Sequence, residues 1–124
     1  MNVYWISAGL INLIASIMHI VIGYYDPLEP LKTSSMNPES ISTLFAVWYM
    51  VTLVMFGSSF VLLYAGWKPN RLKSFDLVYF MSILYILFAL IFFFFSLPQW
   101  VLLLPIGLLA LYGKKVQENA ILHR

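Results

Sequence analysis

Four stretches of this chain run almost without charge, and the polar residues that separate them gather into short clusters. Reading for uninterrupted apolar length places spans at about 3–24, 43–66, 76–97 and 98–113, followed by a tail over 114–124 that either continues the last helix along the cytoplasmic surface or frays. The runs are continuous and do not alternate every second residue in segments of about ten, as the strands of a membrane barrel would. An open sheet would leave unpaired backbone at its edges in hydrocarbon, so helices are predicted throughout.

The punctuation between the runs supports these spans. "YYDPLEPLKTSSMNPES" carries three prolines. Within it, Asn37 is placed to cap a helix and Pro38 to occupy its first position, so the second helix is predicted to begin before its apolar core. "GWKPNRLKSFD" separates the second and third runs, with Ser74 as a candidate cap and Asp76 suited to the positive end of the next helix. "SLPQW" makes a tight hairpin between the third and fourth. The fourth run is the short one: sixteen residues from Pro98 to Gly113 rise only ~24 Å against a ~30 Å hydrocarbon core, and Pro105 removes one helical hydrogen bond. Drawing the hairpin inward would set Gln99 below the outer surface, beside protein.

Composition sets the environment. Of 124 residues, 62% are hydrophobic and 10% charged, whereas soluble domains carry about a quarter of their residues as charges. The chain is therefore predicted to be a single integral membrane domain, an all-α four-helix transmembrane bundle whose short loops make consecutive helices antiparallel neighbours. The N-terminus "MNVYWISAGL" has no Lys/Arg region of a secretory signal, so the first run is predicted to be a retained helix. Cysteine is absent, which removes disulfides, thiolate metal sites and thiol nucleophiles. The small net charge of +2 forms no basic face, and nucleic acid is not an expected partner.

Charge position sets orientation. Lys68, Arg71 and Lys73 lie between the second and third spans, and Lys114, Lys115 and Arg124 follow the fourth, whereas the first loop sets Lys32 beside Asp26, Glu29 and Glu39. The positive-inside rule then places both termini in the cytoplasm. Tyr4, Trp5, Tyr24, Tyr25, Tyr64, Trp67, Trp100 and Tyr112 fall near span ends, where aromatic rings serve as interfacial anchors.

Polar residues inside the spans are the candidates for function. Asn12, Ser16, His19 and Gly23 are spaced four, three and four apart, which lines them along one stripe of a helix. Such a stripe avoids lipid and turns toward other helices or a wet cavity. Trp48, Thr52 and Ser59 share a face of the second helix, with Tyr49 beside it and "GSS" at Gly57 to Ser59 offering close approach; Tyr79, Ser82 and Tyr85 share a face of the third. His19 and Tyr49 each lie roughly 8 Å below the outer boundary by helical rise. His19, Trp48, Tyr49, Gln99 and Trp100 are thus the expected lining of an outward-facing pocket, with Asn12, Thr52 and Tyr85 as a deeper layer.

Three roles are open to His19. It can tie helices together by a hydrogen bond to Tyr49, Gln99 or Asn12. It can be the polar group of a ligand or proton site. It can ligate metal or haem, which would need His19 shared between protomers, since no second histidine lies in a span. No cofactor or metal is predicted. No Ser/His/Asp arrangement, carboxylate pair, phosphate-binding glycine loop or HExxH occurs, so enzyme activity has little support.

Several motifs, "AGLINLIASIMHIVIG" at Ala8 to Gly23, the "PL" of Pro27 and Leu28, "FAVWYMVTLVMF" at Phe45 to Phe56 and "LPQWVLLLPIGLLALYG" at Leu97 to Gly113, carry a resemblance. The chain resembles a widespread family of small, uncharacterised bacterial four-helix integral membrane proteins. The resemblance implies the fold and brings no established activity. It also implies a histidine where this chain has Tyr49, so a paired-histidine metal or haem role would not carry over intact. The expected function is a binding or accessory module with a pocket around His19 for a small molecule or lipid. Alternatives are an oligomeric channel or carrier lined by Asn12, Ser16 and His19, and a His19-dependent haem or metal redox protein. The expected partners are the bilayer, such a ligand, and further copies of the chain or a larger membrane complex.

Overall fold

A computed structural model describes residues 1–71 and 75–122. Its elements are α1 (Val3–Gly23), a π-turn (Tyr24–Leu28), α2 (Glu29–Lys32), α3 (Pro38–Trp67), a short 3-10 turn (Pro69–Arg71), α4 (Asp76–Phe94) and α5 (Trp100–Leu122). Four candidate spans, Val3–Lys32, Pro38–Trp67, Asp76–Phe94 and Trp100–Leu122, are long and apolar enough to cross a membrane. The protein is an all-α four-helix bundle, and no strand occurs among the described residues.

The ends of the helices depart from expectation where local chemistry intervenes. The first helix does not stop at Tyr24: it passes through the π-turn and resumes as α2. The interruption falls at Asp26, whose backbone is extended (φ −149°, ψ 107°) before a cis bond to Pro27, as the residue preceding a proline is driven out of the helical region. At the start of α3, Asn37 accepts a hydrogen bond from Ser40 N–H at 2.7 Å, with Pro38 in the first turn, as the "NPE" spacing predicts. The Ser74 cap lies outside the described residues.

The third helix ends at Phe94, three residues short of the expected Leu97. Leu97 N–H donates to Phe92 C=O at 2.8 Å and Ser96 N–H to Phe93 C=O at 3.0 Å, the paired bonds of a Schellman cap, with Ser96 in the left-handed region (φ 57°). A serine in the place usually held by glycine hid this stop from the sequence. The fourth helix begins at Trp100 and continues to Leu122, so, of the two courses open to the tail, residues 114–122 take the helical one and extend the helix by more than two turns. The Lys114–Glu118 ion pair, 2.9 Å at i,i+4, supports that extension.

The helices pack as two hairpins. α1 lies against α3, and α4 against α5; α1 and α5 then join the hairpins, while α3 and α4, though consecutive spans, meet only sparsely. Small residues bring backbones together where packing is tightest: a Cβ on Gly107 of α5 would come within 2.9 Å of the Ser82 carbonyl on α4. The core comprises Trp5, Ala8, Leu62, Ala65, Val78, Tyr85, Ala89, Leu103, Ile106 and Ala110.

Trp5 corrects an expectation. It was placed as an interfacial anchor, yet it is fully buried, and its indole N–H donates to Ala110 C=O at 2.9 Å. Asn2 has a similar tying role. Its backbone N–H donates to Gly66 C=O and its Nδ2 to Gly113 C=O, both at 2.7 Å, so the chain start, the end of α3 and the middle of α5 share one end of the bundle.

Polarity runs from inside to outside. Asn12, Ser16, Ser59 and Ser82 have no exposed surface, whereas Leu53, Phe80 and Phe94 are among many large apolar side chains facing outward. A bundle in water buries its large apolar side chains, whereas one in hydrocarbon gains nothing by doing so and hides its polar groups.

Candidate functional site

The stripe read from the first helix does face α3, and each of its members has a distinct role. Asn12 Nδ2 donates to Met55 C=O at 3.0 Å and to Ser58 Oγ at 2.9 Å. Ser58 Oγ lies 2.6 Å from Tyr85 OH, and it also lies 2.9 Å from Met55 C=O. Ser58 has one proton; if that proton goes to Met55, Tyr85 must donate to Ser58. This network joins α1, α3 and α4 where α3 and α4 are otherwise barely in contact.

Ser58 was not among the candidates. It belongs to the "GSS" run, but the face predicted for α3 passed through Ser59, which instead donates within its own helix to Met55 C=O at 2.8 Å. Thr52 likewise donates within α3, to Trp48 C=O at 2.9 Å. Ser16 donates to Asn12 C=O at 2.7 Å. These buried hydroxyls satisfy themselves on the preceding turn and need no partner from another helix. The deeper layer is therefore Asn12, Ser58 and Tyr85, with Thr52 buried but outside the network.

Nearer the α1–α3 loop, His19 and Trp48 stack face to face, with ring centroids 3.9 Å apart and planes 6° from parallel. The indole is also pressed against Gly23, where an added Cβ would collide with its ring atoms. The stripe thus ends in a glycine because the tryptophan needs that space. His19 Nε2 finds none of the partners expected for it. Tyr49 is half exposed and turned outward, Gln99 is exposed, and Asn12 is committed to α3. Trp100 packs against Phe93 at the α4–α5 hairpin, centroids 5.5 Å apart, and neither it nor Gln99 lines the groove beside the His19 stack. Tyr79, expected on an inward face, is exposed.

The groove beside this stack has a volume of about 230 Å³ and is lined by Ile20, Val21, Tyr24, Tyr25, Leu28, Trp48 and Tyr49. Trp48 and Tyr49 are the two expected residues that line it; His19 stands behind, stacked on Trp48. Leu28, from the π-turn, closes the wall and is buried. Lys32 is close by: its Nζ lies 3.3 Å from Tyr24 OH and 4.9 Å from that ring's centroid. Two ring nitrogens here, His19 Nε2 and Trp48 Nε1, are buried without a hydrogen-bond partner, as is Asn12 Oδ1 in the deeper layer. An unpaired buried polar atom costs about 1–3 kcal/mol. Among the described residues no three His, Cys, Asp or Glu side chains gather to hold a metal ion.

Fold and site together define a class: an all-α bundle of four membrane-length helices with an aromatic groove at the end of one hairpin. Neither a family model, nor a curated protein, nor a solved structure matches this chain.

Proposed function

We propose that this protein is a small integral protein of the bacterial inner membrane, with both termini in the cytoplasm. In this reading it acts as a binding or accessory module, and the α1–α3 groove takes a lipid or a small apolar molecule at the outer leaflet. The observation that carries the binding role is the groove itself, about 230 Å³ in volume and walled by the rings of Tyr24, Tyr25, Trp48 and Tyr49. A ligand with an apolar body and one polar end would fill this groove against the Trp48 ring, since tyrosines present both an apolar face and a hydroxyl. Stacked behind it, His19 holds the indole in place. The outward apolar surface supports membrane residence, and Lys68, Arg71, Lys114 and Lys115, at the end of the bundle that Asn2 ties together, support the orientation.

The channel reading draws less from the geometry. Asn12 and Ser16 are wholly buried, and their hydrogen bonds are made inside the protomer.

The test is photo-crosslinking in vesicles with a phosphatidylethanolamine that carries a diazirine on one acyl chain, with adducts mapped by mass spectrometry. Adducts are expected to concentrate on Tyr24, Tyr25 and Tyr49 and to be lost from them in Val21→Trp, which fills the groove. An even spread over outward residues such as Leu53 and Phe80, unchanged by Val21→Trp, would overturn the reading.

A further inference from the structure

A second groove lies at the opposite end of the bundle. It is an open groove of about 540 Å³ along one face of α5, lined by Leu108, Leu111, Tyr112, Lys114, Lys115 and Glu118. We propose that it binds a phospholipid of net negative charge, with an acyl chain along Leu108 and Leu111 and the phosphodiester between Lys114 and Lys115. This site rests on membrane residence but not on the α1–α3 groove.

The groove is amphiphilic along its length. Leu108 is half exposed, and Lys115 stands seven residues further on, ~10 Å by helical rise, so an apolar floor passes into a cationic rim over about the distance from upper acyl carbons to phosphate. Aromatic rings mark that transition. Tyr112 meets Tyr4 edge to face, centroids 4.7 Å apart, and Lys114 Nζ lies 4.8 Å from the Tyr79 ring centroid. Tyrosines collected at one level with lysines beside them, at the end of the long apolar run of α5, are the arrangement of a membrane–water boundary. The rim therefore stands at headgroup depth.

Charge selects the headgroup. Lys114 is held by Glu118 at 2.9 Å and that pair cancels, which leaves exposed Lys115 with one net positive charge. A phosphodiester with an uncharged headgroup has one negative charge to match it, whereas a zwitterionic headgroup brings its own cation into competition with the lysines. A second copy of the chain is the less favourable occupant, since a symmetric contact across this face would set Lys114 and Lys115 against their own copies.

Native mass spectrometry of the full chain, released from micelles doped with phosphatidylglycerol or phosphatidylcholine, tests the site. Phosphatidylglycerol is expected to be retained preferentially, with retention falling about fivefold in Lys115→Gln and further in Lys114→Gln/Lys115→Gln. Leu108→Trp, an exposed change that fills the floor and leaves the charges, should lower retention as well. Lys68→Gln, which removes a charge at the same end of the bundle but outside both grooves, should leave it unchanged, and circular dichroism of each variant verifies that the helices persist. Equal retention of the two lipids, or the same loss from Lys68→Gln as from Lys115→Gln, overturns the proposal. So does a dimer that forms through α5 and retains phosphatidylglycerol regardless of the lysine variants.

Discussion

The indole of Trp48 lies flat on the imidazole of His19, with centroids 3.9 Å apart and planes 6° from parallel, and its other close neighbour is the bare backbone of Gly23. One aromatic side chain from α3 is thus seated on the last two turns of α1. The seat places the ring in the groove wall and keeps His19 from reaching the hydroxyl of Tyr49.

Gly23→Ala tests the seat directly. Helix propensity alone would make this change stabilising by up to ~1 kcal/mol. Because the new Cβ collides with the indole, a net loss of about 1–3 kcal/mol is expected instead. Unfolding in mixed micelles measures it, and an unchanged or raised stability would show that Trp48 moves aside freely.

Trp48 and Tyr49, adjacent in sequence, should behave oppositely. Trp48→Ala removes the stack and is expected to cost roughly 2 kcal/mol, below the ~3–5 of a fully buried tryptophan. Tyr49→Ala, on a half-exposed outward ring, should stay within about 0.5 kcal/mol of wild type. Similar losses for both would mean that Tyr49, too, faces the bundle.

Asn12 and Ser58 should be energetically coupled. A double-mutant cycle over Asn12→Leu and Ser58→Ala is expected to give a coupling of about 0.5–1.7 kcal/mol, the range for hydrogen bonds between membrane helices. The same cycle with Thr52→Ala in place of Ser58→Ala should give a value near zero, because Thr52 bonds only its own helix. Coupling to Thr52 as strong as to Ser58 would contradict the network described.

Ser96→Gly should stabilise the α4–α5 hairpin. Ser96 sits at φ 57°, where a side chain costs ~1–2 kcal/mol that glycine does not incur; offset by glycine's greater freedom when unfolded, a gain of about 0.5–1 kcal/mol is expected. Thermal unfolding in detergent reads the sign, and a loss of stability would place the turn in another conformation.

Much of the fold was legible because hydrophobic length and helix punctuation are local properties. The four spans, the Asn37 cap and the inward stripe of α1 follow from spacing and side-chain chemistry that a neighbouring helix does not alter. Helix ends were harder to read. The stop at Phe94 depends on a serine adopting a conformation usually left to glycine, and the persistence of α5 to Leu122 on packing and an ion pair in a segment no longer apolar.

The candidate site was legible as a set of residues and not as an arrangement. Asn12, His19, Trp48 and Tyr85 all lie in or beside buried polar or aromatic contacts, and Tyr49 lines the groove from an outward-turned position, whereas Gln99 and Trp100 do not join them. Depth along a helix can be counted from the sequence, but the direction in which a residue points across the bundle depends on how the helices rotate against one another. For that reason Tyr49, at the level of His19, faces outward, and Trp5, near the end of its span, is buried under α5.

The sequence by itself determined that this chain forms four long apolar helices and that Asn12, Ser16, His19 and Gly23 share one face, because both results depend only on composition and helical period. The tertiary structure alone decided that α3 and α4 barely touch, that Ser58 joins Asn12 to Tyr85, and that His19 stacks on Trp48. Those outcomes depend on helix rotation and close approach, which small residues such as Gly23 and Gly107 permit and which no single helix specifies.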